Sequence, residues 1–249
     1  MKLIRKLLIV RYKNRPLTAV EEDGKIVAFS VSEEAESILG NIYVARVQNI
    51  VKNIQAAFLT FGDGKVGYYS LKENPNPIFT NPKQTDKICI GDGLIVQVAR
   101  ESVKTKPPTM TSRINLTGKY TVLTVGNTHF GISSKISDQN WKNRCKEYFS
   151  NYCNENYGFI IRTNAYGVSL EIIEKEMQIL VASYQKICDD GIHRVKGSCL
   201  YQTPPDFINQ VKNIWQDGLK AILTDQEEYY QKLQEYLLRE QAEDMEKLF

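Results

Sequence analysis

The sequence predicts an α+β protein with a five-stranded β-barrel near its N-terminus, followed by strands and amphipathic helices. Three observations lead there. Residues 41–116 hold five runs that alternate with period two or are rich in β-forming residues. A long segment, Glu73 to Gly91 with Pro75, Pro77 and Pro82, separates the third run from the fourth and is unfit for a central strand. After residue 117 the apolar spacing becomes that of amphipathic helices.

Residues 2–31 read as a small meander. Leu3, Leu7, Ile9 and Val10 lead into the turn signal Asn14-Arg15-Pro16. Ala19-Val20, Glu22-Asp23-Gly24-Lys25 and Ile26 to Phe29 then read as strand, hairpin turn and strand. The five barrel runs are Ile42 to Val51, Ala56 to Phe61, Val66 to Leu71, Leu94 to Ala99 and Met110 to Leu116. Gly62-Asp63-Gly64-Lys65 is a hairpin signal between the second and third. Three strands, a long connection and two strands is the order of an OB barrel, a fold that binds nucleic acid on the outer face of its second and third strands.

Strand parity assigns the faces. If Leu59, Phe61, Tyr69 and Leu71 fill the barrel, Phe58 and Tyr68 stand outside on adjacent strands. Two exposed aromatics form a platform on which bases stack. Arg46, Lys52, Lys65, Arg100, Lys104, Lys106 and Arg113 can surround it and meet phosphates. The competing reading is that another part of the chain covers both rings. Residues 37–116 carry 10 Lys/Arg against 5 Asp/Glu, a net +5, while residues 224–249 carry 3 against 8, a net −5. A polyanion is drawn to the first segment and repelled by the second, although net charge alone does not separate a partner from a solvated surface.

Beyond residue 117, Tyr120 to Val125, Gly131-Ile132 and Gly158 to Arg162 are strand-like. Ser137 is expected to cap a helix with Trp141, Cys145, Tyr148 and Phe149 on one face. Ser169 caps a second, with Leu170, Ile173, Met177, Leu180, Val181 and Tyr184. Tyr201 to Pro205 is extended. A third helix is expected to carry Ile208, Val211, Trp215, Leu219 and Ile222. A fourth opens at the capping box Thr224-Asp225-Gln226-Glu227 and runs, largely charged, to the end. Its acids Glu240, Glu243, Asp244 and Glu246 are expected to form a solvated face, and His129 and His193 sit with no nucleophile in any motif. Five cysteines without a CxxC pair argue against a disulfide framework or zinc knuckle. That cysteine usage points to the reducing cytoplasm, and no apolar run is long enough to span a bilayer, so no membrane contact is expected.

Several segments carry a resemblance. Gly40-Asn41-Ile42-Tyr43, Gln55 to Phe58, Val66-Gly67-Tyr68, Gly91-Asp92 before Leu94 to Val98, Ile114 to Tyr120, Asn127 to Ser133 and Gly158 to Thr163 follow one another in the order seen in the ribonuclease E/G family. The resemblance implies an RNase H-like α/β subdomain in two parts, 1–36 and 209–249. It places an S1 domain of the OB type over 37–116 and an α/β 5′-sensor subdomain over 117–208. It also implies that Phe58, Tyr68 and Lys106 contact RNA, and that Arg162 and Thr163 grip a 5′-monophosphate. A guanidinium fork and a hydroxyl suit that task. Read without the resemblance, Arg162 fits a structural ion pair with a carboxylate on the following helix. Two departures stand out: Ser134-Lys135 follow Gly131-Ile132-Ser133 where the family has two Arg, and Lys106 sits in the stiff run Thr105-Lys106-Pro107-Pro108.

The resemblance places the family's Mg²⁺-binding nuclease site in a DNase I-like subdomain beyond the residues present, so the expectation is a fragment or truncated member with no catalytic or metal residue of its own. The function expected is the RNA-binding and 5′-monophosphate-sensing portion of an endoribonuclease of RNA processing and decay, with single-stranded RNA as partner. Mg²⁺ belongs to the full-length enzyme, as does any homo-oligomer. The alternatives are a non-catalytic single-stranded RNA-binding protein, regulatory or ribosome-associated, and a protein-interaction module that has lost RNA binding.

Overall fold

The computed structural model describes residues 4–32, 37–81, 83–213 and 219–249, in two compact units, one from the described residues of 1–37 and 204–249 and one from 38–203. The chain opens with an antiparallel meander, β1 (Arg5–Tyr12), β2 (Arg15–Glu22) and β3 (Lys25–Val31). Its connections are two-residue hairpins. Lys13 and Asn14 adopt φ of 46° and 66°, and Asp23 and Gly24 adopt 47° and 83°. Paired positive φ values match the twist of the flanking strands, and Asn, Asp and Gly tolerate them best. The first turn therefore falls on Lys13-Asn14, and Arg15-Pro16 already belong to β2.

The second unit begins with β4 (Ile42–Val51), β5 (Ala56–Phe61) and β6 (Lys65–Ser70), then the short β7 (Ile78–Phe79), β8 (Gly93–Arg100) and β9 (Thr109–Thr111). Strands β4, β5, β6, β9 and β8 close on themselves, because β8 pairs with β4, and form a five-stranded barrel of the S1/OB type. Leu59, Phe61, Tyr69, Leu94, Val96 and Met110 fill it and are fully buried. The buried Tyr69 phenol shares a 2.9 Å hydrogen bond with Ser112, and burial pushes its pKa up to about 12.

The expected fifth strand, Met110 to Leu116, is broken. β9 ends at Thr111, and β10 (Asn115–Thr117) joins a second sheet with β11 (Thr121–Val125), β13 (Tyr157–Ile161) and β12 (Phe130–Ile132). The break has a local cause. The Asn74 carboxamide oxygen accepts from the Thr111 hydroxyl at 2.6 Å and the Ser112 N–H at 2.9 Å, so Ser112 bonds a side chain in place of a ladder partner. Two helices cover this sheet, α1 (Gln139–Tyr148) and α2 (Leu170–His193). Asp138, not Ser137, caps α1, accepting the Trp141 N–H at 2.9 Å. That contact holds the Asp138 carboxyl below its ordinary range. Asp189 and Asp190 lie within α2, which continues past Gly191. β14 (Cys199–Tyr201) then pairs with β4.

The chain returns to the first unit with α3 (Asp206–Asn213), β15 (Leu219–Thr224) and α4 (Glu227–Glu240). The third helix is thus shorter than expected. Leu219 and Ile222 lie on β15, parallel to β1, with Leu7, Ile9, Leu233 and Leu237 in their core, and Trp215 lies outside the described residues. Spacing of i, i+3 fits a helix turn, but long-range pairing with β1 decides for the strand. The capping box does not form. Thr224 still belongs to β15, its N–H donating to the Phe249 carbonyl, and Gln226 holds the cap position without a side-chain bond. The expected solvated acidic face holds for the exposed Glu240 and Glu246 and is corrected at Asp244, while the side chain of Glu243 lies outside the described residues. α4 ends at Glu240, a 3-10 stretch follows over Ala242–Lys247, and Asp244 is 1% exposed with Lys247 donating to it at 2.6 Å. All five cysteines are free thiols, and no helix among the described residues is long and apolar enough to cross a membrane.

Candidate nucleic-acid interface

The pairing register of β5 and β6 sets the first group of residues. Phe58 lies directly opposite Tyr68, with ring centroids 6.2 Å apart at 74°, an edge-to-face pair. Their sequence neighbours Ala57, Leu59 and Tyr69 are fully buried inside the barrel, while Phe58 and Tyr68 are half-buried on the outer face. The row continues across the sheet. Asn49 pairs with Phe58, Thr109 with Tyr68, and the exposed Arg100 with Thr109. Arg46, also exposed, pairs with Thr60 in the next row of the same face.

The loop between β8 and β9 is a tight hairpin. The Val103 and Lys106 N–H groups donate to each other's carbonyls at 3.2 and 3.0 Å, and Lys104 at the tip has φ of 55°. The Pro108 carbonyl accepts the Tyr68 N–H at 2.8 Å, which anchors the loop beside the aromatic row and leaves Lys106 exposed. The two prolines after Lys106 therefore belong to a loop tied to β6.

Two of the residues expected around the platform are elsewhere. Lys65 pairs with Phe61, so it holds an inward register position at the barrel rim and not the outer face. Arg113 lies in the bend between β9 and β10, its stem near Gly126 in the turn after β11.

A second group surrounds the end of β13. The Arg162 N–H donates to the Tyr120 carbonyl at 2.8 Å, and its Nη1 donates to the Gly118 and Lys119 carbonyls at 2.6 and 3.2 Å. Thr163 opens a 3-10 turn, and its hydroxyl shares a 3.0 Å hydrogen bond with Ser133. Ser134 and Lys135 are exposed on the adjoining segment.

Opposite Arg162 lies a residue that sequence reading missed. Glu176 of α2 accepts the N–H groups of Lys119, Tyr120 and Thr121 at 2.7, 2.9 and 2.7 Å, and the Thr121 hydroxyl at 2.9 Å. Burial pushes its carboxyl above the ordinary range, against the pull of these donors. A Cβ on Gly118 would run into that carboxylate and push it off the N–H groups it accepts. The following helix thus brings a buried carboxylate to the same turn whose carbonyls Arg162 binds.

No three His, Cys, Asp or Glu side chains converge among the described residues in a group that could hold a metal ion. The described residues therefore do not fit the Mg²⁺ that the resemblance implies for a full-length enzyme. His129 and His193 are both exposed.

Similarity to known proteins agrees with these segments. The sequence model of the Ribonuclease E/G family matches residues 115–249, more than half of the chain. The chain belongs to the ribonuclease E/G family. It is 30% identical over 167 residues to Ribonuclease G of Salmonella typhimurium, covering 63% of this chain and 34% of that protein. It is 27% identical over 202 residues to Ribonuclease G of Haemophilus influenzae, covering 77% and 41%. Against Ribonuclease E of Nostoc sp. it is 24% identical over 233 residues, covering 92% of this chain and 34% of that protein. That last span takes the likeness through the barrel. The chain thus spans between a third and two-fifths of the length of these relatives.

Proposed function

We propose that this ribonuclease E/G-family chain is the RNA-gripping portion of an endoribonuclease of RNA processing and decay. Its barrel binds single-stranded RNA by stacking bases on Phe58 and Tyr68, while Arg46, Arg100 and Lys106 meet the phosphates. The observation that carries the reading is the cross-strand Phe58–Tyr68 pair, half-buried on an outer barrel face whose opposite face is closed core. Large apolar rings left on a surface usually have a partner, and a basic surround suits a polyanion. In the same reading Arg162 and Thr163 hold a 5′-monophosphate, and the chemistry of cleavage, with its Mg²⁺, resides in a full-length enzyme.

The test is a titration of the chain with a labelled single-stranded oligoribonucleotide. Phe58→Ala and Tyr68→Ala should each weaken binding by about 1–3 kcal/mol. Each should lower stability by no more than the about 0.5–1.5 kcal/mol that an aromatic pair is worth beyond its area. The RNA should stay intact when Mg²⁺ is added. Unchanged affinity in both variants, or a melting loss of core size, would remove the platform.

A further inference from the structure

Beside the aromatic row lies a cleft of about 530 Å³, lined on one side by Arg46, Gln48 and Thr60 and on the other by Lys196 and Gly197, with the Gly62–Gly64 hairpin between. That volume is in the range of small-ligand sites. We infer that this cleft is a phosphodiester subsite, holding the backbone of the same RNA strand whose bases stack on Phe58 and Tyr68, with Arg46 and Lys196 as its two cationic walls. The inference rests on the proposed RNA binding and extends it to Lys196, a residue outside the barrel strands.

Position comes first. Thr60 lies two residues beyond Phe58 on β5 and shares its face, so the cleft and the aromatic pair are about 7 Å apart along one strand. A single strand leaving the platform towards the hairpin enters the cleft at its next step.

The far wall is built, not draped. The loop after α2 is stitched to β4, with the Gly197 N–H donating to the Val44 carbonyl at 2.7 Å and the Val44 N–H to the Ser198 carbonyl at 2.9 Å. Gly197 has φ of 101°, and a Cβ there would stand 2.9 Å from the Gly62 carbonyl oxygen. This close approach sets Lys196 across from Arg46. Lys196 Nζ donates to the Gly91 carbonyl at 2.8 Å, which fixes the ammonium and leaves it two further donors.

Charge points the same way. The lining holds two cations, and the nearby carboxylate Asp63, between the lining residues Gly62 and Gly64, is exposed to solvent at the hairpin. The neighbouring Asp92 already accepts from Lys83 at 2.5 Å and from the Cys89 N–H at 2.7 Å. Arg46 is exposed and makes no side-chain hydrogen bond or ion pair among the described residues, so its planar fork is available to two oxygens of one phosphate. Thr60 and Gln48, joined by a 3.4 Å hydrogen bond, add neutral polar groups on the floor.

The experiment measures affinity for a single-stranded oligoribonucleotide against salt concentration, with a thermal melt of each variant. Arg46→Gln and Lys196→Gln should each weaken binding several-fold and each lower the slope of log affinity against log salt by about 0.7, the share of one phosphate contact on a single strand. Both melts should match wild type, since Gln at 196 keeps a donor for the Gly91 carbonyl. Lys196→Arg should restore affinity and slope. If Phe58→Ala weakens binding while Lys196→Gln changes neither affinity nor slope, the cleft is overturned and the platform stands. If the two Gln variants weaken binding while Phe58→Ala and Tyr68→Ala do not, the cleft stands and the platform falls. If none of the four changes binding, both are overturned.

Discussion

The outer face of β5 and β6 and the turn after β13 carry the two groups of expected RNA contacts, and they are held in opposite ways. On the barrel, Phe58 and Tyr68 touch each other and the core lies behind them, so the backbone alone orients them. At the turn after β13, Arg162 is tied to two main-chain carbonyls and Thr163 to Ser133. A ligand adds to the first surface without displacing anything described there, but it must be reconciled with existing hydrogen bonds at the second. A binding surface made by strand alternation can thus vary its side chains at little structural cost. One made from a hydrogen-bonded turn couples recognition to stability.

The comparison breaks first if the two faces of β5 do not differ. Leu59 is fully buried in the barrel next to Phe58 on the strand. Leu59→Ala should cost about 2–5 kcal/mol of stability through lost burial and the cavity left behind. A denaturant titration of the two variants side by side checks it. Equal losses for Leu59→Ala and Phe58→Ala would mean that the ring of Phe58 is core.

The turn after β13 should show the coupling. Arg162→Ala leaves the buried Gly118 and Lys119 carbonyls without this donor, opposite the N–H groups gathered by Glu176. A stability loss of about 1–3 kcal/mol is expected for unsatisfied buried acceptors. Preference for a 5′-monophosphorylated RNA over its 5′-hydroxyl counterpart should vanish with it. A variant that melts early yet keeps the preference would leave Arg162 a purely structural residue.

What was legible in the sequence divides along the same line. The barrel strands β4, β5, β6 and β8 follow from local alternation, and so does the outward parity of Phe58 and Tyr68, because a strand's faces are fixed by its own residues. The break at Ser112 was not legible, since it depends on Asn74, 38 residues away in the chain. Nor was β15, whose apolar spacing suits a helix until β1 is beside it. Glu176 gave no signal either. It lies next to Met177 on a face read as apolar, and only the donors at 119–121 explain a carboxylate there. Lys196 was equally hidden, because its place across from Arg46 is set by a loop that packs on a hairpin more than 130 positions earlier.

The smallest effect sharpens the comparison within the barrel itself. Lys106 and Lys65 are both exposed lysines of the basic segment, but the structure separates them. Lys106 sits on the hairpin that Pro108 ties to Tyr68, beside the aromatic row. Lys65 holds the register of the buried Phe61 at the rim. If phosphates are met locally, Lys106→Ala should weaken single-stranded RNA binding a few-fold and lower the salt slope by about 0.7. Lys65→Ala should leave the slope unchanged. Neither should move the melting curve, because neither ammonium has a described hydrogen-bond partner to lose. Measuring both slopes in one series decides the matter. Equal losses would show a diffuse positive field acting at a distance, and the face-specific account of the barrel would then fail even with the aromatic platform intact.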